Sequence, residues 1–109
     1  MVKYTIQTSK QLIVGFQVTG HADYPKSGDD IVCAGVSAIA QTIALGLVKQ
    51  LGPDTMWQQK KGKLSCRIGK LSTDEELIVS QAILKSMQLG IEALQEAYPD
   101  FIKVEYKEV

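Results

Sequence analysis

Apolar and polar residues alternate along two stretches near the start of the chain. The apolar positions of these stretches, residues 2–8 and 11–19, are Val2, Tyr4, Ile6, Val14, Phe16 and Val18. Alternation over this length is typical of a β-strand that buries one face. A short polar turn near Ser9-Lys10 separates the two stretches, so the pattern predicts a β-hairpin.

Three further strands are predicted later in the chain. Residues 55–60 and 64–68 flank a Lys-Gly turn, which indicates a second hairpin. The apolar face of its second strand consists of Leu64, Cys66 and Ile68. Alternation returns over residues 102–106 and predicts a last strand.

A long uncharged segment lies between the two hairpins and predicts a helix from Ile31 to about Leu51. Asp30 stands directly before it and is expected to act as its N-cap. Gly52-Pro53 follows it, and these residue types commonly end helices.

A second helix is predicted by apolar residues at helical spacing. Its start fits a capping box in two ways, Ser72 with Glu75 or Thr73 with Glu76, and Pro99 ends the run. The apolar positions are Leu77, Leu84, Met87, Ile91, Leu94 and Tyr98. The predicted order is therefore β-β-α-β-β-α-β, an α+β fold with two helices packed on a sheet, in a single domain over residues 1–109.

The composition of the chain argues against nucleic-acid binding and against a metal site. The chain has 109 residues and carries 12 basic and 12 acidic side chains. A balanced charge gives no electrostatic footprint for nucleic acid, so no direct nucleic-acid partner is expected. With only two cysteines, Cys33 and Cys66, the chain offers neither a disulfide scaffold nor a zinc site, and we expect no metal. Reduced thiols fit a cytoplasmic protein.

Residues 31–48 carry no charge and approach the length of a membrane span. The segment also contains Ser37, Gln41 and Thr42, and Asp29-Asp30 precede it directly. We interpret it as a core helix buried between the sheet and the other helix, and expect no membrane association.

The strongest candidate chemistry joins His21, the one histidine, with Cys33. His21 follows the second strand, and Cys33 would be the third residue of the first helix if Asp30 is the N-cap. Free N–H groups and the helix dipole at such a position lower a thiol pKa, which favours a nucleophilic thiolate. Residue types alone leave the alternative open, since a cysteine in an apolar helix is often a small buried hydrophobe.

Three other residues enter this hypothesis. Asp30 either caps the helix only or also orients His21. Ser37 lies one helical turn after Cys33 and either contacts the site or bonds to its own helix backbone. Cys66 lies in the middle of a predicted strand on its apolar face and is expected to be inert.

Two pieces of the sequence then resemble a known signature. Gly20-His21-Ala22-Asp23 and the run from Gly28 to Ala38, GDDIVCAGVSA, are similar to the motif of the ribosomal-processing cysteine protease family, Prp. The motif is specific because it consists of two separate segments at a defined spacing. The similarity also extends over the length of the chain and its predicted element order.

The resemblance implies that His21 and Cys33 form the catalytic pair and that Gly20, Asp30 and Ser37 are supporting motif positions. It implies an endopeptidase that removes the N-terminal extension of a large-subunit ribosomal protein, number twenty-seven, by cutting after an aromatic residue. It also implies a homodimer and a mechanism without cofactors.

Two alternatives from other classes remain at this point. The first alternative is a ribosome-associated binding module that binds a ribosomal protein without cutting it. The second is a thiol redox protein that uses Cys33 with Cys66. The redox alternative is weakened because no resolving cysteine lies close to Cys33 in the sequence.

Overall fold

Seven elements follow one another in the order that the sequence predicts. The computed structural model describes residues 1–20, 29–60 and 62–109, but not the side chains of residues 29 and 30. The strands are β1 Val2–Ser9, β2 Leu12–Thr19, β3 Met56–Lys60, β4 Lys63–Arg67 and β5 Ile102–Glu108. The helices are α1 Asp29–Leu51 and α2 Asp74–Ala97. The predicted α+β class is confirmed.

The strands form one mixed sheet in the order β3-β4-β2-β1-β5. Both hairpins are antiparallel, and β2 pairs with β4 in the same sense. β5 joins the sheet parallel to β1, with Val2 opposite Ile102. This last pairing brings the first and last strands together, so the sheet depends on contacts that local sequence patterns do not encode.

The first hairpin turns one residue later than predicted. β1 ends at Ser9 and β2 begins at Leu12, so the turn residues are Lys10 and Gln11, both with positive φ (51° and 68°). Two positive φ angles are the mark of a type I′ turn, whose twist matches that of the flanking strands. The turn achieves this without the glycine or asparagine that usually signals it in a sequence.

The core lies between one face of the sheet and the two helices. It contains the predicted inward residues of β1 and β2 with one exception, and one row from each helix; its largest fully buried side chains include Tyr4, Ile6, Phe16, Leu47, Leu64, Leu84, Met87 and Ile91. The exception is Val14, which is half-buried, whereas Ile13 is buried instead, next to a register shift in the β1–β2 pairing between Gln7 and Thr8. Tyr4 and Phe16 stack in it with ring centroids 5.7 Å apart.

α2 begins with one of the two predicted capping boxes. The Thr73 hydroxyl accepts a hydrogen bond from the Glu76 N–H (3.1 Å), and the Glu76 carboxylate accepts one from the Thr73 N–H (3.2 Å). The helix ends at Ala97, and Tyr98 forms its C-cap with 39% of its surface exposed, so Tyr98 is not part of the buried face as predicted.

The prediction that α1 is buried between the sheet and the other helix is only half right. Val32, Val36 and Leu47 lie in the core, but Ile31 and Leu45 on the outer side are 68% and 55% exposed. By length and composition both helices resemble membrane spans. Burial of one face of each in a shared core explains that apolar character as well.

Candidate active site

Gly20 fixes the point at which the chain leaves β2. Its φ of +80° is rarely adopted by other residues, and a Cβ added there would lie 2.6 Å from the Met1 carbonyl oxygen. Its N–H donates a hydrogen bond to the Gly62 carbonyl (3.1 Å). A glycine is therefore needed at the position directly before His21.

His21 itself and Gly28 lie outside the described residues, so the dyad stays a prediction. The structure does correct the predicted role of Asp30. α1 begins at Asp29, two residues before the predicted start, so Asp30 is a residue of the first turn and not the N-cap that precedes the helix. Asp29 and Asp30 both suit the first turn of a helix as well as a cap, so the residue types alone do not determine where the helix begins.

Cys33 is consequently the fifth residue of α1 and not the third. Cα–Cβ bonds of a helix tilt toward its N-terminus, so the Cys33 side chain leans over the first turn. The N–H groups of residues 29–31, the first three of the helix, have no partners within it. The thiol is half-buried and packs against the edge of the core, which leaves part of it accessible to a substrate.

The flank of α1 that carries Cys33 is turned away from α2. The opposite flank carries Gly35 and Ile39, and it faces α2: a Cβ on Gly35 would lie 3.9 Å from Leu94, and a Cβ on Gly90 would lie 3.8 Å from Ile39. Residues two positions apart on a helix differ by about 200° in direction. Cys33 therefore lies on the side of α1 that the other helix leaves open.

Two polar side chains continue the line of Cys33 along this flank. Ser37 and Gln41 follow at intervals of four residues, both half-buried, and the Gln41 amide donates a hydrogen bond to the Ser37 hydroxyl (3.0 Å). The sequence predicted either a contact with the site or a bond to the helix backbone for Ser37, and it did not predict the hydrogen bond with Gln41. The four-residue spacing of these two polar residues in an otherwise apolar helix is the signal that could have indicated it.

Cys66 lies in a different environment, as predicted. It is 2% exposed on β4, with Phe16 and Trp57 as its cross-strand partners. Burial raises the pKa of its thiol to about 11, so the thiol is protonated at neutral pH. A buried, protonated thiol is a poor nucleophile, which weakens the redox alternative.

A large cavity lined by described residues lies elsewhere. It has a volume of about 1000 Å³ and is bounded by the β1–β2 turn, the segment after β4 and the start of α2. By its size this cavity would be a candidate active site, but none of the residues that line it is a cysteine or a histidine. Within the described ranges, no cluster of three metal-ligating side chains is present. Nucleophilic chemistry therefore points to Cys33.

Known proteins are similar to this chain in sequence and fold. The profile of the family described as Cysteine protease Prp matches residues 1–103. The Ribosomal processing cysteine protease Prp of Staphylococcus aureus is 33% identical to the chain over 91 residues, 81% of each chain.

Two crystal structures from S. aureus extend the similarity to the fold. Both are of an essential ribosomal processing protease Prp, and each match covers 98% of this chain and all of the other. The complex with a substrate peptide has a TM-score of 0.78 at 27% identity. The complex with a covalently linked product peptide has a TM-score of 0.73 at 28% identity.

Proposed function

The chain belongs to the Cysteine protease Prp family and is a cysteine peptidase, and from this premise we propose that Cys33 is its nucleophile and His21 its base. The position of Cys33 carries this proposal. Its half-buried thiol leans over the first turn of α1, on the open flank of the helix, whereas the other cysteine is buried in the sheet.

The proposed reaction is hydrolysis through an acyl-enzyme. His21 accepts the thiol proton, the Cys33 sulfur attacks the substrate carbonyl, and the peptide C–N bond breaks as His21 returns the proton to the leaving amine. Water then attacks the thioester and releases the acid. Backbone N–H groups of residues 29–31 are the proposed donors to the oxyanion, because they lack partners within the helix. No metal or cofactor is required.

The proposed substrate is the precursor of a large-subunit ribosomal protein, number twenty-seven, cut after an aromatic residue near its N-terminus. Support comes from the name of the S. aureus relative, which describes ribosomal processing, and from the relative's complex with a substrate peptide.

We further propose that the enzyme works in the cytoplasm, as a homodimer, and without direct contact to nucleic acid. The equal numbers of acidic and basic side chains support the last point.

The supporting residues have distinct proposed roles. Gly20 sets the direction of the chain into His21, since its backbone angle and its contact with Met1 exclude a side chain. Asp30 contributes negative charge within the first turn of α1, and Ser37 lies one turn from the nucleophile with its hydroxyl held by Gln41.

Mass spectrometry of the ribosomal protein precursor tests the proposal. The precursor is incubated with the wild type, with Cys33→Ala and with the matched control Cys66→Ala. We expect the wild type and the control to give one new protein mass, that of a chain shortened at its N-terminus so that it begins directly after an aromatic residue, and Cys33→Ala to give none.

Two outcomes would contradict the proposal in different ways. Cleavage by Cys33→Ala would exclude Cys33 as the nucleophile. A stable complex with the precursor, without cleavage by either the wild type or the control, would favour the binding-module alternative.

A further inference from the structure

The sheet has one face, called here the open face, that points away from both helices. The helices pack on the face that carries Tyr4, Phe16 and Leu64, so the side chains that alternate with these point to the open face. The basic side chains of the open face are Lys3, Lys60, Lys63, Arg67, Lys103 and Lys107, and its acidic side chain is Glu105. The chain as a whole has 12 side chains of each sign, so its balanced total conceals a basic face.

The strand register places four lysines in one row across the open face. Lys60 lies opposite Lys63, and Lys3 lies opposite Lys103, with Thr19 between the two pairs. Neighbouring strands are about 4.8 Å apart, so the row spans about 19 Å. Like charges that lie directly opposite one another destabilise a sheet. Two such pairs in one row are therefore a cost to folding that an anionic partner would remove.

The two lysine pairs differ in how their charge is compensated. The Glu105 carboxylate forms salt bridges with Lys3 (3.2 Å) and with Lys103 (3.5 Å). Among the residues that the structure describes, neither Lys60 nor Lys63 forms a salt bridge with an acidic side chain. The uncompensated charge of the row therefore lies on the β3–β4 side of the open face.

A cavity of about 500 Å³ opens on this same side of the face. It is lined by Gln7, Gln17, Met56, Trp57, Gln58, Ser65, Cys66 and Arg67. It lies across Gly15, where an added Cβ would be 2.6 Å from the Cys66 carbonyl oxygen and 2.7 Å from the Gln7 side-chain oxygen. The Met56 side chain is 74% exposed and gives the cavity an apolar wall. The cavity can therefore hold one apolar side chain beside the basic row.

Three kinds of anionic partner can be compared with this surface. Nucleic acid fits poorly, because none of the described strand residues on the open face is aromatic and could stack on a base. A second copy that used the same face would bring two basic rows together, which is unfavourable. A protein segment with acidic side chains and one apolar side chain matches both the lysine row and the cavity.

We propose that the open face binds an acidic segment of a partner protein. Carboxylates of that segment pair with Lys60, Lys63 and Arg67, and an apolar side chain enters the cavity across Gly15. This surface lies on the side of the sheet away from both helices, and thus away from Cys33. The inference goes beyond the proposed function and does not depend on the proposed reaction or substrate.

Nuclear magnetic resonance on the isotope-labelled full chain tests the surface residue by residue. The probe is a synthetic peptide with one leucine between two runs of glutamate, and its control has glutamine in place of every glutamate. We expect the glutamate peptide to shift the backbone amide signals of β2, β3 and β4, and the glutamine peptide to shift none of them at concentrations up to about 1 mM. The affinity of the glutamate peptide should fall as salt is added.

Charge reversal at Lys60 provides a variant that separates binding from folding. Lys60→Glu should raise the dissociation constant of the glutamate peptide about tenfold. It should also raise Tm, because it replaces the like-charge pair with Lys63 by an opposite-charge pair. Lys85→Glu is the matched control, since it makes the same change at an exposed position of α2 and should alter binding by less than about twofold.

Replacing the leucine of the peptide by alanine tests the cavity. We expect this change to weaken binding to the wild type about fivefold, because less apolar surface is buried. An unchanged affinity would overturn the role of the cavity across Gly15.

Other outcomes would overturn the proposal as a whole. Unshifted signals on the open face, or equal binding of the glutamate and glutamine peptides, would exclude it as a site for acidic segments. Equal losses in Lys60→Glu and Lys85→Glu would show a response to total charge alone. Tighter binding of single-stranded RNA at the same residues would replace the protein partner by a nucleic acid. Cleavage of the precursor, followed with the same variants, reports on the proposed function separately.

Discussion

Cys33 and Cys66 carry the same thiol in two opposite settings. Cys33 is half-buried on the open flank of a helix, near its N-terminal end, with polar Ser37 one turn away. Cys66 is 2% exposed within the sheet, and burial raises the pKa of its thiol to about 11. The comparison teaches that the backbone element and its exposed side, more than the residue type, decide whether a cysteine can act as a nucleophile.

Replacing sulfur by oxygen at each position should have opposite effects, and this is the largest difference we expect. Cys33→Ser should lower kcat/KM by about a thousandfold or more and leave the free energy of unfolding within about 0.5 kcal/mol, because a hydroxyl is a far weaker nucleophile of similar size. Cys66→Ser should keep kcat/KM within about threefold of the wild type but lower the free energy of unfolding by about 1–3 kcal/mol, because it buries a hydroxyl.

Peptidase assays and urea unfolding on both variants provide the measurements. Since the two changes are chemically identical, each variant is the control for the other. Substantial activity in Cys33→Ser, or loss of activity in folded Cys66→Ser, would break the comparison.

Alkylation rates should separate the two thiols under native conditions. Iodoacetamide at pH 7.5 is expected to modify Cys33 at least about a hundredfold faster than Cys66, since Cys66 reacts only when the sheet opens. Peptide mass spectrometry identifies the modified residue over time, and labelling in urea verifies that Cys66 is reactive once exposed. Equal native rates would show that the sheet does not shield Cys66.

Stability at alkaline pH should carry the signature of Cys66. Below about pH 9 the thiol is protonated in both the folded and the unfolded chain. Between about pH 9 and pH 11 only the unfolded chain loses the proton, so the free energy of unfolding falls by about 2–3 kcal/mol in total. Urea unfolding at several pH values measures this loss.

Cys66→Ala is the control for the alkaline effect. Its stability should fall less steeply over the same pH range. The buried Tyr4, whose pKa is also raised by burial and by the nearby Cys66, contributes a further loss from about pH 10 upward in both proteins, so the difference between the two slopes is the signature of Cys66. Equal slopes for the wild type and Cys66→Ala would contradict the assignment of this effect to Cys66.

The inert cysteine and the strands were predictable because alternation is a local property that burial of one sheet face imposes. The position of Cys33 was predicted only approximately, since the start of α1 depends on whether Asp29 or Asp30 enters the helix, and both residues suit either position. The parallel pairing of β1 with β5 and the open edge at β3 could not be predicted, because they depend on contacts between distant parts of the chain.

Gln41 was also missed, for a related reason. A glutamine in an apolar helix looks like an isolated polar residue, and only its geometry shows that its amide donates to the Ser37 hydroxyl (3.0 Å). The chain offers a matched pair on the other helix, where the Gln88 amide donates to the Glu92 carboxylate (3.2 Å), also four residues apart.

Removing the Gln41 hydrogen bond should therefore have a small effect that is specific to the Cys33 flank. Gln41→Met keeps the length of the side chain but lets the Ser37 hydroxyl turn, and the loss of one neutral hydrogen bond, about 1 kcal/mol, corresponds to a decrease in kcat of about fivefold with KM little changed. Gln88→Met should change neither constant. Steady-state kinetics on both variants measure the difference, and equal kcat values in the two would show that the polar line from Cys33 to Gln41 does not support the proposed nucleophile.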